Sequence, residues 1–109
     1  MVEPVVQEKI NEMVRRIVER FNPEKIILFG SHARGTAGPD SDVDLMVIMR
    51  VQGSRRQKAT EIDISLADRS VPLDLLVVTP EQFDRERDMI GTVIRPAARE
   101  GRVLYERAA

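Results

Sequence analysis

Three short runs constrain the fold most: KIILF at Lys25–Phe29, VDLMVIM at Val43–Met49 and VPLDLLVV at Val71–Val78. They are too short for buried helices, and the first is so continuously apolar that it must be a strand covered on both faces. Such a chain needs helices to pack on its sheet. Val6, Ile10, Met13, Val14, Ile17, Val18 and Phe21 recur at three- and four-residue spacing between charged residues. That spacing predicts an amphipathic helix over Pro4–Phe21, with Pro4 tolerated in the first turn and Asn22-Pro23 as the stop.

A second helix is predicted over Ser54–Asp68, where Ala59, Ile62, Ser65 and Leu66 keep helical spacing. Thr79-Pro80-Glu81-Gln82 predicts a third, with a capping threonine, proline at the first position and Gln82 three residues after the cap. Thr92–Glu100 is expected to be the last helix, kinked or shortened by Pro96 and capped by Gly101, before a brief strand at Val103–Tyr105. Gly30–Ser41 is a polar connection with a helical turn expected around His32–Gly35. The order α-β-turn-β-α-β-α-α-β indicates an α/β or α+β sheet with helices packed on it.

At 109 residues the chain is expected to be a single domain, 1–109. No apolar run approaches the ~20 residues of a membrane span, which argues against a membrane role. The N-terminus lacks the basic start and apolar block of a secretory signal. With no cysteine there are no disulfides and no thiolate metal sites. By elimination, the cytoplasm is the expected location. A net charge of −1, with one Tyr and three Phe, gives little to attract or stack nucleic acid and argues against that partner.

Against this background the stretch FGSHARGTAGPDSDVDLMVI at 29–48 stands out. The second strand is expected to begin at about Asp42, which sets Asp42 and Asp44 on one face. Asp74 is the lone charge in the third apolar run and joins them if the strands pair in the right register. Two carboxylates ~4 Å apart repel by roughly 4 kcal/mol at an effective dielectric of 20. Three together call for a cation, and an all-oxygen set suits Mg²⁺, which completes its shell with water and substrate phosphates. Two such ions can activate an attacking oxygen and steady a leaving one, as nucleotidyl transfer requires. Gly30, directly after a strand, lets the backbone approach a ligand, and Ser31 with the N–H groups that follow is suited to phosphate.

Gly30-Ser31, ten intervening residues, then Asp42-Val43-Asp44, with a later aspartate at Leu73-Asp74-Leu75, is similar to the signature of the DNA polymerase β-like nucleotidyltransferase superfamily. The fuller form, GSHARGTAGPDSDVDL, resembles its smallest members, the minimal nucleotidyltransferases (MNT). The likeness runs from Ile26 to the C-terminal EGRVLYE and implies the polymerase β-like fold, a small mixed β-sheet flanked by helices. It also implies that Asp42, Asp44 and Asp74 hold two Mg²⁺ ions and that Gly30, Ser31, Arg34 and Ser41 line the site of ATP or another NTP. Asp74 would help deprotonate the acceptor. Larger relatives carry a helical acceptor domain that this chain lacks. In the MNT group a separate HEPN-domain protein often takes that place as a toxin, with the MNT protein as MntA-like antitoxin, and some members transfer AMP from ATP to a toxin tyrosine.

Several residues carry more than one reading. Arg34 either contacts the triphosphate or fixes its loop. His32, the only histidine, is expected to be a packing or solvent-facing residue, because no cysteine or second histidine accompanies it. Arg55, Arg56 and Lys58 oppose the dipole of the helix they open, so they either fray it or face an anion. As a charge run they are read as a solvated face, and Tyr105 as a core-edge residue. Three functions compete: a nucleotidyltransferase acting on a partner macromolecule, a module that neutralises a helical partner by occlusion, and transfer to a small molecule in a pocket built across a homo-oligomer.

Overall fold

The computed structural model describes residues 4–108. The elements are α1 (Pro4–Phe21), β1 (Lys25–Phe29), α2 (Gly30–Arg34), β2 (Val43–Ile48), α3 (Arg55–Ser65), β3 (Leu73–Val78), α4 (Pro80–Glu86), α5 (Ile94–Glu100) and β4 (Arg102–Glu106). The four strands form one mixed sheet in the order β3-β2-β1-β4. β1 is antiparallel to both β2 and β4, while β2 and β3 run parallel, joined by the crossover that contains α3.

The two central strands explain the continuous apolar runs. Along β1 and β2, Ile26, Leu28, Val43, Leu45 and Val47 point to one face and Ile27, Met46 and Ile48 to the other, as the two-residue period of a strand requires. The first face is covered by Ile10, Met13, Val14 and Ile17 of α1 with Ile62 and Leu66 from α3 and its end. The second is covered by Phe83 of α4 and by Ile94 and Ala97 of α5. Asp44 shares its parity with Met46 and Ile48, so it belongs to the α4/α5 face at the end of the sheet where β2 begins.

Local chemistry sets most element boundaries. Ser54 and Thr79 cap α3 and α4, their hydroxyls accepting from the backbone N–H of Gln57 (3.2 Å) and Gln82 (3.1 Å). The helix expected over Ser54–Asp68 ends at Ser65. Beyond it the chain turns, and Asp68 pairs with Arg16 of α1 at 2.9 Å. The second strand begins at Val43, one residue later than expected, and the third at Leu73 rather than Val71. The last helix starts at Ile94, which puts Pro96 in its first turn, where a missing N–H costs nothing. Gly101 caps α5 as expected, its N–H donating to the Ala97 carbonyl at 2.9 Å. Its backbone is extended (φ −73°, ψ 164°), and glycine is needed because a Cβ would collide with the Ala97 carbonyl and the Ile27 side chain.

Candidate active site

The stretch from Phe29 to Asp44 folds back on itself so that the end of β1 meets the start of β2. Phe29 pairs with Asp44 in the antiparallel ladder, and Gly30 follows directly. Gly30 adopts φ 75°, a conformation open mainly to glycine, and a Cβ there would collide with Oδ2 of Asp44. The expected helical turn is a short helix that begins at Gly30 itself and closes on Gly35, also left-handed at φ 78°, whose N–H donates to the Ser31 carbonyl.

The loop from Gly35 to Asp42 contains a turn between Gly38 and Ser41 closed by two hydrogen bonds. Ser41 Oγ accepts from the Gly38 N–H at 2.9 Å, and the Ser41 N–H donates to the Gly38 carbonyl at 3.2 Å, closing a turn. His32 is buried, with Nε2 3.2 Å from the Ser41 carbonyl. Because a carbonyl only accepts, that nitrogen carries the proton. His32 is thus a packing residue, and it pins the residue before Asp42 to α2. The sequence reading left this link out; the nine-residue separation of His32 and Ser41 carries no local signal.

Across the parallel ladder Asp44 is set directly opposite Asp74. The Val43 N–H donates to the Pro72 carbonyl at 2.9 Å and locks that register at the strand starts. Asp42 lies one residue before β2 and is exposed, Asp74 is exposed, and Asp44 is half-buried between its neighbours. Burial first, then the charges of Asp74 and Asp42, push the Asp44 carboxyl above its usual range, while His32 and Arg34 pull the other way. Asp44 therefore feels both Asp74 and Asp42, and Arg34, exposed at the end of α2, contributes positive charge to the same place.

The donor chemistry fits a hard cation. Among the described residues no three carboxylate or histidine side chains close into a metal cage. An ion that keeps water and substrate phosphates as ligands needs only one or two carboxylates. Asp44 and Asp74 offer two on adjacent strands, about 4.8 Å apart at the backbone. Burial first, and then the neighbouring carboxylates, disfavour the ionised Asp44, and a bound cation would offset both.

A nucleotidyltransferase domain model matches residues 9–104. The chain belongs to the nucleotidyltransferase domain family. Two proteins of Methanocaldococcus jannaschii, whose names propose protein adenylyltransferase activity, are similar to this nucleotidyltransferase. One is 41% identical over 58 residues, which is 51% of this chain but only 40% of the relative. The other is 30% identical over 106 residues, covering 94% of this chain and 97% of the relative. A candidate nucleotidyltransferase from Sulfolobus solfataricus shares the fold at a TM-score of 0.58 and 19% identity, over 92% of this chain and 79% of that one. So does a chain from a complex of a tri-AMPylated Shewanella oneidensis HEPN toxin with an MNT antitoxin, at a TM-score of 0.54 and 18% identity, over 93% and 72%. The mixed four-stranded sheet with five helices is the nucleotidyltransferase fold.

Proposed function

We propose that this nucleotidyltransferase moves a nucleoside monophosphate, AMP from ATP, to a hydroxyl of a partner protein, a tyrosine of a HEPN-domain toxin, and so acts as its antitoxin in the cytoplasm. The observation that carries the transfer is the register placing Asp44 opposite Asp74, beside Gly30 and one residue after Asp42-Val43. Near full-length similarity to a relative named for protein adenylylation supports a protein acceptor, and the shared fold with an MNT–HEPN complex supports the choice of partner.

In this reading Asp42, Asp44 and Asp74 hold two Mg²⁺ ions, which when bound neutralise the carboxylates and draw charge from the triphosphate. Gly30 gives the phosphates close approach to the backbone, and Ser31 holds them through its N–H and hydroxyl. Arg34 balances phosphate charge. Ser41 serves the nucleotide by keeping its loop closed. The acceptor oxygen forms a bond to the α-phosphorus, the bond from that phosphorus to the bridging oxygen breaks, and pyrophosphate leaves with the electron pair. Asp74, exposed at the site's edge, takes the hydroxyl proton. Positioning and charge neutralisation supply most of the rate.

The test is to incubate the protein with α-labelled ATP, Mg²⁺ and a HEPN-domain partner. Label on the partner's tyrosine is expected; its absence with every triphosphate, while metal still binds, would overturn the reading. The alternative is a non-catalytic module that neutralises a helical partner by occlusion. An Asp42→Ala/Asp44→Ala double variant that still binds and protects against the toxin as wild type does would establish it.

A further inference from the structure

β3 is an edge strand, with a partner only on its β2 side. The Val43 and Met49 N–H groups donate to the carbonyls of Pro72 and Val78, so those carbonyls point into the sheet. By the two-residue period of a strand, the carbonyls of Asp74 and Leu76 do too. The N–H and C=O groups of Leu75, half-buried, and Val77, 4% exposed, then point outward, and among the described residues no strand meets them. A cleft of about 630 Å³ runs along this edge, and four consecutive residues, Leu75 to Val78, line it. Residues of both faces share one cleft only where it opens on the strand's hydrogen-bonding edge.

Two arginines border one end of the cleft, Asp74 lies just beyond the other, and Glu86, paired with Arg85 at 3.5 Å, sits on the wall with Gln82. Asp74 precedes its first lining residue. Arg55 and Arg56 border it, and they stand near the Val78 end, because Ile48 pairs with Val78 and α3 begins a short loop later. Both arginines are exposed, and among the described residues neither has an ion-pair partner. On the facing wall Gln82 carries a buried Oε1 with no hydrogen-bond donor.

We propose that this edge is the track on which the acceptor docks: an extended, acidic segment of the partner protein adds to β3 as a further strand. Its hydroxyl residue lies at Asp74, and an acidic side chain four positions away meets Arg55 and Arg56. Four residues of strand span about 13 Å, the reach from Asp74 to Val78. Main-chain bonds to Leu75 and Val77 give affinity, and the arginines give register. The proposal rests on the nucleotidyl-transfer reading for the role of Asp74.

The test uses the full chain, isotope-labelled and free of nucleotide, with a capped nine-residue peptide of alternating Val and Thr, a central Tyr and Glu at both ends. Saturable binding is expected, with the Leu75 and Val77 amides protected from exchange. Lys in place of both Glu, alternate N-methylation of the peptide backbone, and the Arg55→Glu/Arg56→Glu variant should each weaken binding about tenfold or more. Equal binding of the N-methylated peptide, protection elsewhere, or no saturable binding overturns the proposal. With ATP, Mg²⁺ and a HEPN-domain partner, equal labelling by wild type and the double variant overturns docking and leaves transfer standing. Peptide seated on the edge with no partner labelled overturns transfer and leaves docking standing.

Discussion

Gly30 and Asp44 compete for one small volume: the Oδ2 of Asp44 lies where a side chain on residue 30 would begin. The end of one strand and the carboxylate at the start of the next are therefore a single unit. Gly30→Ala meets both a left-handed backbone and this carboxylate. A loss of about 1–2 kcal/mol from the backbone alone is expected in urea unfolding, with transfer activity falling further because Asp44 must swing away. A Gly30→Ala protein with wild-type activity would show that the contact is not needed.

Asp44 should cost stability when ionised. Its folded pKa lies above the unfolded value, so the folded state holds its proton more tightly and the penalty appears as pH rises through the shifted value. Below the unfolded pKa, near 3.8, the group is neutral in both states and the penalty vanishes. Asp44→Asn is expected to raise Tm at pH 7 and to leave it unchanged at pH 3. Mg²⁺ should raise Tm for wild type more than for the variant, by mass action on the folded state.

Asp74 is exposed, so Asp74→Asn should leave stability within about 0.5 kcal/mol of wild type. Transfer should fall by roughly 10²–10⁴ if this carboxylate takes the proton. Measuring the variant's Mg²⁺ affinity beside its single-turnover rate separates that role from metal binding: a lost rate at unchanged affinity marks the proton acceptor.

His32→Ala leaves the Ser41 carbonyl without its donor and opens a buried space, for an expected loss of about 1–3 kcal/mol. His32→Gln keeps an N–H donor of similar reach and should recover much of that stability. Chemical denaturation of the two variants side by side makes the comparison.

Gly101→Ala provides a contrast on the β4 side of β1, away from β2 and its aspartates. The added Cβ meets the carbonyls of Ala97 and Leu28 and the Ile27 side chain. Overpacking of about 1–3 kcal/mol is expected. Transfer by the fraction that remains folded should be unchanged, which active-site titration at low temperature would check.

How much of this was legible in the sequence depends on the range over which each feature is determined. α1 runs over Pro4–Phe21 and β1 over Lys25–Phe29 as their patterns predict, because periodicity, a first-turn proline and a strand's apolar run are properties of neighbouring residues. Thr79 caps its helix as expected, because a hydroxyl reaches only two or three residues ahead, and Ser54 caps α3 by the same contact. Gly101 caps α5 where expected, and it is needed for a second reason that lies outside the helix. Its φ is ordinary, and what excludes a side chain is the packing of β1 against α5.

The sequence alone singled out three aspartates and a Gly-Ser turn as candidates for chemistry, since charges that interrupt apolar strand runs call for a cause. It left their meeting conditional on register, and no local rule relates residues thirty positions apart. Tertiary structure decided that point: the crossover through α3 makes β2 and β3 parallel, the Val43–Pro72 bond sets the starting register, and Asp44 comes to lie opposite Asp74. Tertiary structure likewise decided that Arg55 and Arg56, read along the chain as a solvated run, border the open edge of β3. A helix face can be read from spacing. What lies beside it depends on how the sheet is ordered, and that is settled only when the strands pair.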